Sequence, residues 1–307
     1  MKTKLLLLLI LLTTLTKGQG TFDPYFYQDF LNAHLKNPAY TGISEFPTLT
    51  FVTHTAPSDA YLFGIAYQQT LDAAKGGIGA SYYYTYNDPT SGTSSHAHNL
   101  NFQYSPTFKI NRDIGFKPGI ELGIVVQTNK ITGMPAPFNI DITTTYFNSM
   151  AGIVIFGKEF HTGIGFGIKG FGNSYVAAIP GYPSFQEASF NFDFAVNINS
   201  HDREKTWTVT PNIFFMQNEN NGLTIAGVTF RYLPLLLGMH LESDNVGNFY
   251  YIPMVGTWDK YYRISFCYQH LTARPPKNEA HDYLELNLNI SLPSNSVSTA
   301  QKFTRIF

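Results

Sequence analysis

The chain is poor in cysteine, in charge and in long apolar runs, and each shortage removes a class of protein. Its single cysteine, Cys267, leaves no internal disulfide to stabilise a small secreted scaffold. Charged residues make up 13% of the 307 positions, with twenty Lys and Arg against twenty-one Asp and Glu, so no basic field exists to attract a nucleic acid. Beyond residue 18 no apolar run approaches the roughly 20 residues of a membrane-spanning helix. Tryptophan is scarce at two residues, yet 26 Phe and 20 Tyr bring the aromatic share to 16%. So many aromatics at a mean hydropathy of −0.10 imply that apolar and polar residues alternate.

The first eighteen residues have the form of a signal peptide. Lys2 and Lys4 precede the apolar stretch Leu5 to Leu12, and a small, polar end leads to cleavage after Gly18 or Gly20. Eight apolar residues are too few to cross a bilayer. Loss of Lys2, Lys4 and Lys17 leaves the mature chain with a formal charge near −4. A buried N-terminal helix is the competing reading.

Period-two alternation dominates the rest of the chain. Phe190, Phe192, Phe194, Val196 and Ile198 alternate with Ser189, Asn191, Asp193, Ala195, Asn197 and Asn199. Leu284, Leu286, Leu288, Ile290 and Leu292 alternate likewise with Tyr283, Glu285, Asn287, Asn289 and Ser291. Such segments are strands with one apolar and one polar face. Fourteen are expected: 48–54, 61–69, 77–86, 97–110, 114–127, 145–156, 160–172, 187–199, 205–217, 222–232, 235–242, 247–258, 261–270 and 282–292. No helical period long enough for a crossover separates them, which points to antiparallel connections. Links after the fourth, sixth, tenth and twelfth strands are tight, and those after the third, fifth, seventh and thirteenth are long, as in outer-membrane barrels. Short links after the ninth and eleventh leave the count at 12 to 14.

The expected fold is therefore all-β, a transmembrane antiparallel β-barrel of about 14 strands with a short N-terminal helical segment. A soluble sandwich would need charged outer faces, whereas these polar faces carry Asn, Ser, Thr, Gln and Gly. Tyr82, Tyr83, Tyr84 and Tyr86, with Tyr261 and Tyr262, fit interfacial aromatic girdles. The expected divisions are signal peptide 1–18, helical plug or docking segment 19–47, barrel 48–292 and tail 293–307. Within the second, Asp23 and Pro24 read as N-cap and first helical residue. Phe26, Phe30 and His34, with Tyr27, Leu31 and Leu35, recur at spacing four until Asn37 and Pro38 stop the helix. Such a helix would pack inside the lumen or across its periplasmic mouth.

Two stretches carry a family resemblance. Phe22-Asp23-Pro24-Tyr25-Phe26-Tyr27-Gln28, followed by Lys36-Asn37-Pro38-Ala39-Tyr40-Thr41-Gly42, resembles the N-terminal signature of the PorP/SprF family. Near the end, Tyr268, a loop and His281-Asp282-Tyr283-Leu284-Glu285-Leu286 resemble that family's closing hairpin, with Asp282 where a Glu is usual. The resemblance implies a non-enzymatic outer-membrane component of type IX secretion or gliding-adhesin machinery in a Gram-negative bacterium. Its implied partners are outer-membrane lipid, periplasmic and outer-membrane secretion components, and a secreted adhesin or cargo domain, with no nucleic acid. Asp23, Pro24, Gln28, Asn37, Pro38, Ala39, Tyr40 and Gly42 form the expected docking motif. An outer-membrane channel or uptake barrel for small hydrophobic solutes is the alternative.

No catalytic, cofactor or metal site is expected. Gly165-Phe166-Gly167-Ile168-Lys169-Gly170 has dinucleotide-motif spacing but lies inside one alternating strand, not at a strand-to-helix turn. Glycines on its polar face would leave room for a plug or a neighbouring side chain. His96 and His98 have metal spacing without an evident third ligand. Glu121, Asp193 and Glu285 lie on polar faces with nothing in the sequence to pair them for acid–base work.

Overall fold

The structure, a computed structural model, describes residues 32–44, 46–55, 60–71, 73, 75–87, 93–131, 140–157, 159–171, 187–198, 207–218, 222–245, 247–259, 261–273 and 282–292. The expected signal peptide, residues 19–31 and the expected tail lie outside these. Alternating residues form β1 (Thr48–Thr55), β2 (Ala60–Leu71), β3 (Gly76–Asn87), β4 (Thr93–Pro106), β5 (Phe108–Lys109), β6 (Gly115–Ile131), β7 (Ile140–Phe156) and β8 (Phe160–Phe171). They continue as β9 (Glu187–Val196), β10 (Trp207–Asn218), β11 (Gly222–Tyr232), β12 (Leu235–Asp244), β13 (Phe249–Trp258), β14 (Tyr262–Ala273) and β15 (Tyr283–Ser291).

Each strand pairs antiparallel with its sequence neighbour, and β1 pairs with β15 from Thr48↔Ser291 to Thr55↔Leu284. The two-residue β5 continues β4 past Thr107, and both pair with β6. The sheet therefore closes as a barrel of fourteen staves, the expected fold class, with every edge paired. Closure satisfies the backbone groups of a spanning sheet without water. No helix among the described residues is long and apolar enough to cross a membrane, which says nothing against crossing with strands.

One end of the barrel, here the terminal end, holds Thr48, Ser291 and the tight links after β5, β7, β11 and β13. The opposite, loop end holds the long links after β6, β8 and β14. Outward positions are apolar and exposed along successive strands, as Phe102, Ile120, Leu122, Ile153, Ile164, Phe166 and Leu241 illustrate. Their inward neighbours are buried and mostly polar: Asn101, Gln103, Ser189, Asn191, Glu285 and Asn287. Hydrogen bonds link such groups across strands and along them, for example Thr50 Oγ1 on β1 to Asn289 Oδ1 on β15 at 2.6 Å, and Asn289 Nδ2 to Asn287 Oδ1 within β15 at 2.6 Å.

The inner face is not uniformly polar. Leu236, Ile252, Met254 and Cys267 form an inward apolar cluster on β12 to β14, with Trp258 and Tyr283 against it. Phe214, Met216, Leu223 and Ile225 form another on β10 and β11.

The girdle expectation needs one correction. Tyr82, Tyr84 and Tyr86 lie on the outer side with Tyr61, the Tyr61 and Tyr86 rings stacked at 5.0 Å. Tyr83 instead points inward and is 4% exposed, packed with Val52 and Leu62, because consecutive strand residues face opposite ways. Tyr261 and Tyr262 are exposed at the terminal end, as expected.

Candidate functional site

The most heavily built part of the lumen lies at the terminal end, where the residues before β1 cross the barrel. Ala33–Leu35 and Pro38–Tyr40 each form a turn of 3-10 helix. Asn37 both ends the first turn and starts the second. Its side chain accepts a hydrogen bond from the Ala39 amide at 3.0 Å, and Pro38 follows at the first helical position, where its missing N–H costs nothing. The expected continuous helix is thus two short turns over the described residues. Asp23, Pro24 and Gln28 lie outside the described residues.

The other five motif residues, Asn37, Pro38, Ala39, Tyr40 and Gly42, are buried inside the barrel. Strands on several sides bind the segment's backbone. From β2, Gln68 Oε1 accepts from the Gly42 amide at 2.8 Å and Thr70 Oγ1 donates to the Gly42 carbonyl at 2.6 Å. From β4, Gln103 Nε2 donates to the His34 carbonyl at 3.0 Å and Ser105 Oγ to the Ala39 carbonyl at 3.0 Å. Lys117 Nζ on β6 donates to the Thr41 carbonyl at 2.8 Å, and Asn191 Nδ2 on β9 to the Lys36 carbonyl at 2.8 Å. Arg263 on β14 reaches Asn32 Oδ1 at 3.5 Å. The two turns bond most of the segment's amides internally, and the lumen wall takes up the Gly42 amide and the carbonyls the turns leave free.

Glycines set how closely the segment approaches. A side chain at Gly119 would collide with the Pro38 and Ala39 backbone, one at Gly152 with the Asn37 amide, and one at Gly77 with Thr41 and Gly42. A Cβ at Gly163 would stand 2.5 Å from Asp193 Oδ1 and 2.9 Å from the Tyr40 hydroxyl. The strand that carries the dinucleotide-like run thus provides, at this glycine, clearance for the segment. Gly42 itself has φ +68°, a conformation that favours glycine.

Tyr40 anchors the segment. Its ring packs with Ala39, Ile43, Val154 and Phe156, and edge-on to His161 at 5.4 Å. Its hydroxyl donates to the Asp193 carboxylate, which also faces His161 Nε2 at 3.7 Å. Burial, then the Asp193 charge and hydrogen bond, raise the Tyr40 phenol well above its ordinary value. His34 accepts from Gln68 Nε2 at 3.2 Å in its neutral form, and burial followed by the Arg263 charge lowers it to about 3. The sequence reading missed the wall partners Gln68, Thr70, Gln103, Ser105 and Lys117. Only their place on polar strand faces marked them, as it did many other residues.

The remaining candidates are apart. His96 and His98 lie on the outer side near the loop end, with the Tyr82 hydroxyl 2.8 Å from His98 Nδ1 and the Tyr84 ring 5.0 Å from the His98 ring. Glu121 accepts from Gln103 at 2.5 Å, and Glu285 lies 4.0 Å from His54 Nδ1. Each carboxylate, like Asp193, thus sits in its own hydrogen-bonded or ionic contact. At the closing hairpin the Tyr268 hydroxyl donates to Asp282 at 2.5 Å, tying β14 to the start of β15.

With a closed barrel and a segment carrying the Asn-Pro-Ala-Tyr-Thr-Gly run inside it, comparison with known proteins is decisive. A family model described as type IX secretion system membrane protein PorP/SprF matches residues 19–289. The chain belongs to the PorP/SprF family. No curated protein matches it significantly. Among solved structures it resembles the Pseudomonas putida toluene transporter TodX at 10% identity and TM-score 0.56, covering 86% of this chain and 95% of that one. A Pseudomonas aeruginosa FadL homologue gives 10% identity, TM-score 0.51 and coverage of 84% and 93%. CdiB from Escherichia coli gives 10% identity and TM-score 0.52 over 80% and 63%. At such identities these likenesses concern the fold. They mark this PorP/SprF protein as an outer-membrane type of barrel, and the family associates it with type IX secretion.

Proposed function

We propose that this PorP/SprF protein is a non-enzymatic docking component of the type IX system, holding a partner or cargo protein at the outer membrane. The observation that carries the reading is the investment in the N-terminal segment. A barrel closes without it, yet five strands contribute side chains that fix residues 32–42 at the terminal end. With an even number of staves both termini leave on one side, which this reading assigns to the periplasm. The buried motif residues then act as an anchor for whatever the flanking residues present there.

A second reading is uptake of small hydrophobic solutes, and it has its own support: the inward apolar clusters on β10 to β14 and the likeness in fold to a toluene transporter. Replacing Asn37 and Tyr40 by Ala separates the two. Docking predicts a heat-modifiable barrel that still reaches the outer membrane while surface display or secretion of the cognate cargo falls. Normal secretion by that variant, with only solute leakage increased, would show the segment to be a simple plug and the docking assignment wrong.

A further inference from the structure

Toward the loop end the inner wall of β12 to β15 changes from apolar to polar. Glu242 on β12, Tyr250 on β13, Gln269 on β14 and Tyr283 on β15 face inward from four successive strands. The register sets Glu242 beside Tyr250 and Gln269 beside Tyr283. Their chain neighbours Leu241, Tyr251, Tyr268 and Leu284 are exposed on the outer face. The Glu242 carboxylate is near enough to both phenols for its charge to act on each. On the far side of Tyr283 the His54 ring stands edge-on at 4.8 Å, in contact with Glu285.

Two independent observations mark this cluster as a place for a cation. The first is charge. Glu242 and Glu285 are both buried, and Asp244 follows at the end of β12, where Asn248 binds it at 2.7 and 2.8 Å. Across β1 and β12 to β15 the Lys and Arg residues amount to Arg263, which lies at the terminal end beside Trp258. The second is an unfilled acceptor. Gln269 is 1% exposed, and no donor among the described residues reaches its Oε1. A buried carbonyl oxygen forfeits the bond it made to water, and a ligand N–H would restore it. A metal ion does not fit, because among the described residues no group of three or more His, Cys, Asp and Glu is placed to hold one. A primary ammonium does fit: its N–H donors can meet a carboxylate and an amide carbonyl, while tyrosine faces attract its charge.

We propose that Glu242, Tyr250, Gln269 and Tyr283 form a luminal site for the primary ammonium group of a small organic amine that enters from the loop end. Glu242 supplies the countercharge, Gln269 Oε1 accepts an N–H, and the two tyrosines flank the cation. The site lies toward the end of the lumen opposite the Asn-Pro-Ala-Tyr-Thr-Gly run. It therefore stands or falls separately from the docking of a partner there.

Titration calorimetry of the full-length protein in a zwitterionic detergent, with spermidine as the probe, tests the site. Wild-type protein should bind spermidine saturably, and Glu242→Gln should weaken binding by about tenfold or more through loss of a charge-assisted contact. Gln269→Leu removes the acceptor without removing a charge and should weaken binding as well, which keeps the test decisive if Glu242→Gln fails to give a heat-modifiable barrel. Asp141→Asn, at an exposed position on β7, should bind as wild type does. No saturable binding by wild type, or equal binding by the Glu242 and Gln269 variants, would overturn the assignment. An ammonium or guanidinium from the chain itself is the competing source. Spermidine binding that appears only after Arg274 and Lys277 are replaced by Ala would show that the protein fills the site from its own sequence, and would overturn the assignment to an external amine.

Discussion

Gly119, Gly152 and Gly163 show how single residues decide whether the segment fits. Gly119→Ala places its Cβ against the Pro38 and Ala39 backbone, which cannot rotate away, whereas Gly167→Ala meets the Ser189 hydroxyl and the flexible end of Met150. Overpacking of the first kind costs roughly 1–3 kcal/mol. Gly119→Ala should therefore expose Lys36 to trypsin in the unheated barrel, and Gly167→Ala should leave it protected. Tyr40→Phe removes the donor to the partly buried Asp193 carboxylate and should weaken seating by about 1–3 kcal/mol, read by the same cleavage. His34 adds a pH dependence. Its imidazole is neutral when seated and titrates at about 3, while the released segment takes up a proton at the ordinary histidine value of 6.5. Seating is thus unaffected above pH 6.5 and weakens progressively as pH falls from there toward 3. His34→Gln should remove that component, so the difference between the two proteins in trypsin protection against pH isolates it.

At the scale of the element, facing is the determinant. Leu122 is 63% exposed on the outer face in the middle of β6. Leu122→Arg should destabilise the folded barrel by roughly 2–4 kcal/mol in a lipid folding titration, and Leu122→Ile by much less. All fourteen staves were legible in the sequence because a spanning strand must write its two faces as alternating residues. The GxGxxG run was legible for the same reason. Tyr83 was misread because four tyrosines in five positions look like one patch until alternation divides them. The Asn32–Tyr40 turns were harder still. Spacing four fits a helix, but the conformation is set by carbonyls and amides of the segment meeting Gln68, Gln103, Lys117 and Asn191, residues far apart in sequence and without any local signature.

The whole molecule combines a cylinder with an apolar outer face, whose stability comes from a closed hydrogen-bonded sheet, with an irregular segment that bonds most of its own amides but relies on that cylinder for the carbonyls of His34, Lys36, Ala39, Thr41 and Gly42. The barrel should therefore fold without the seated segment, and the segment should not keep its conformation without the barrel. Heat modifiability reports the first and trypsin access at Lys36 the second. The most direct measurement of the central claim, that the Asn-Pro-Ala-Tyr-Thr-Gly run is seated in the lumen and obstructs it at the terminal end, is ion conductance of the purified protein in planar bilayers. Wild-type protein should insert without a stable open level, and the Asn37→Ala, Tyr40→Ala variant should conduct. Equal, sustained conductance from both proteins would contradict the account.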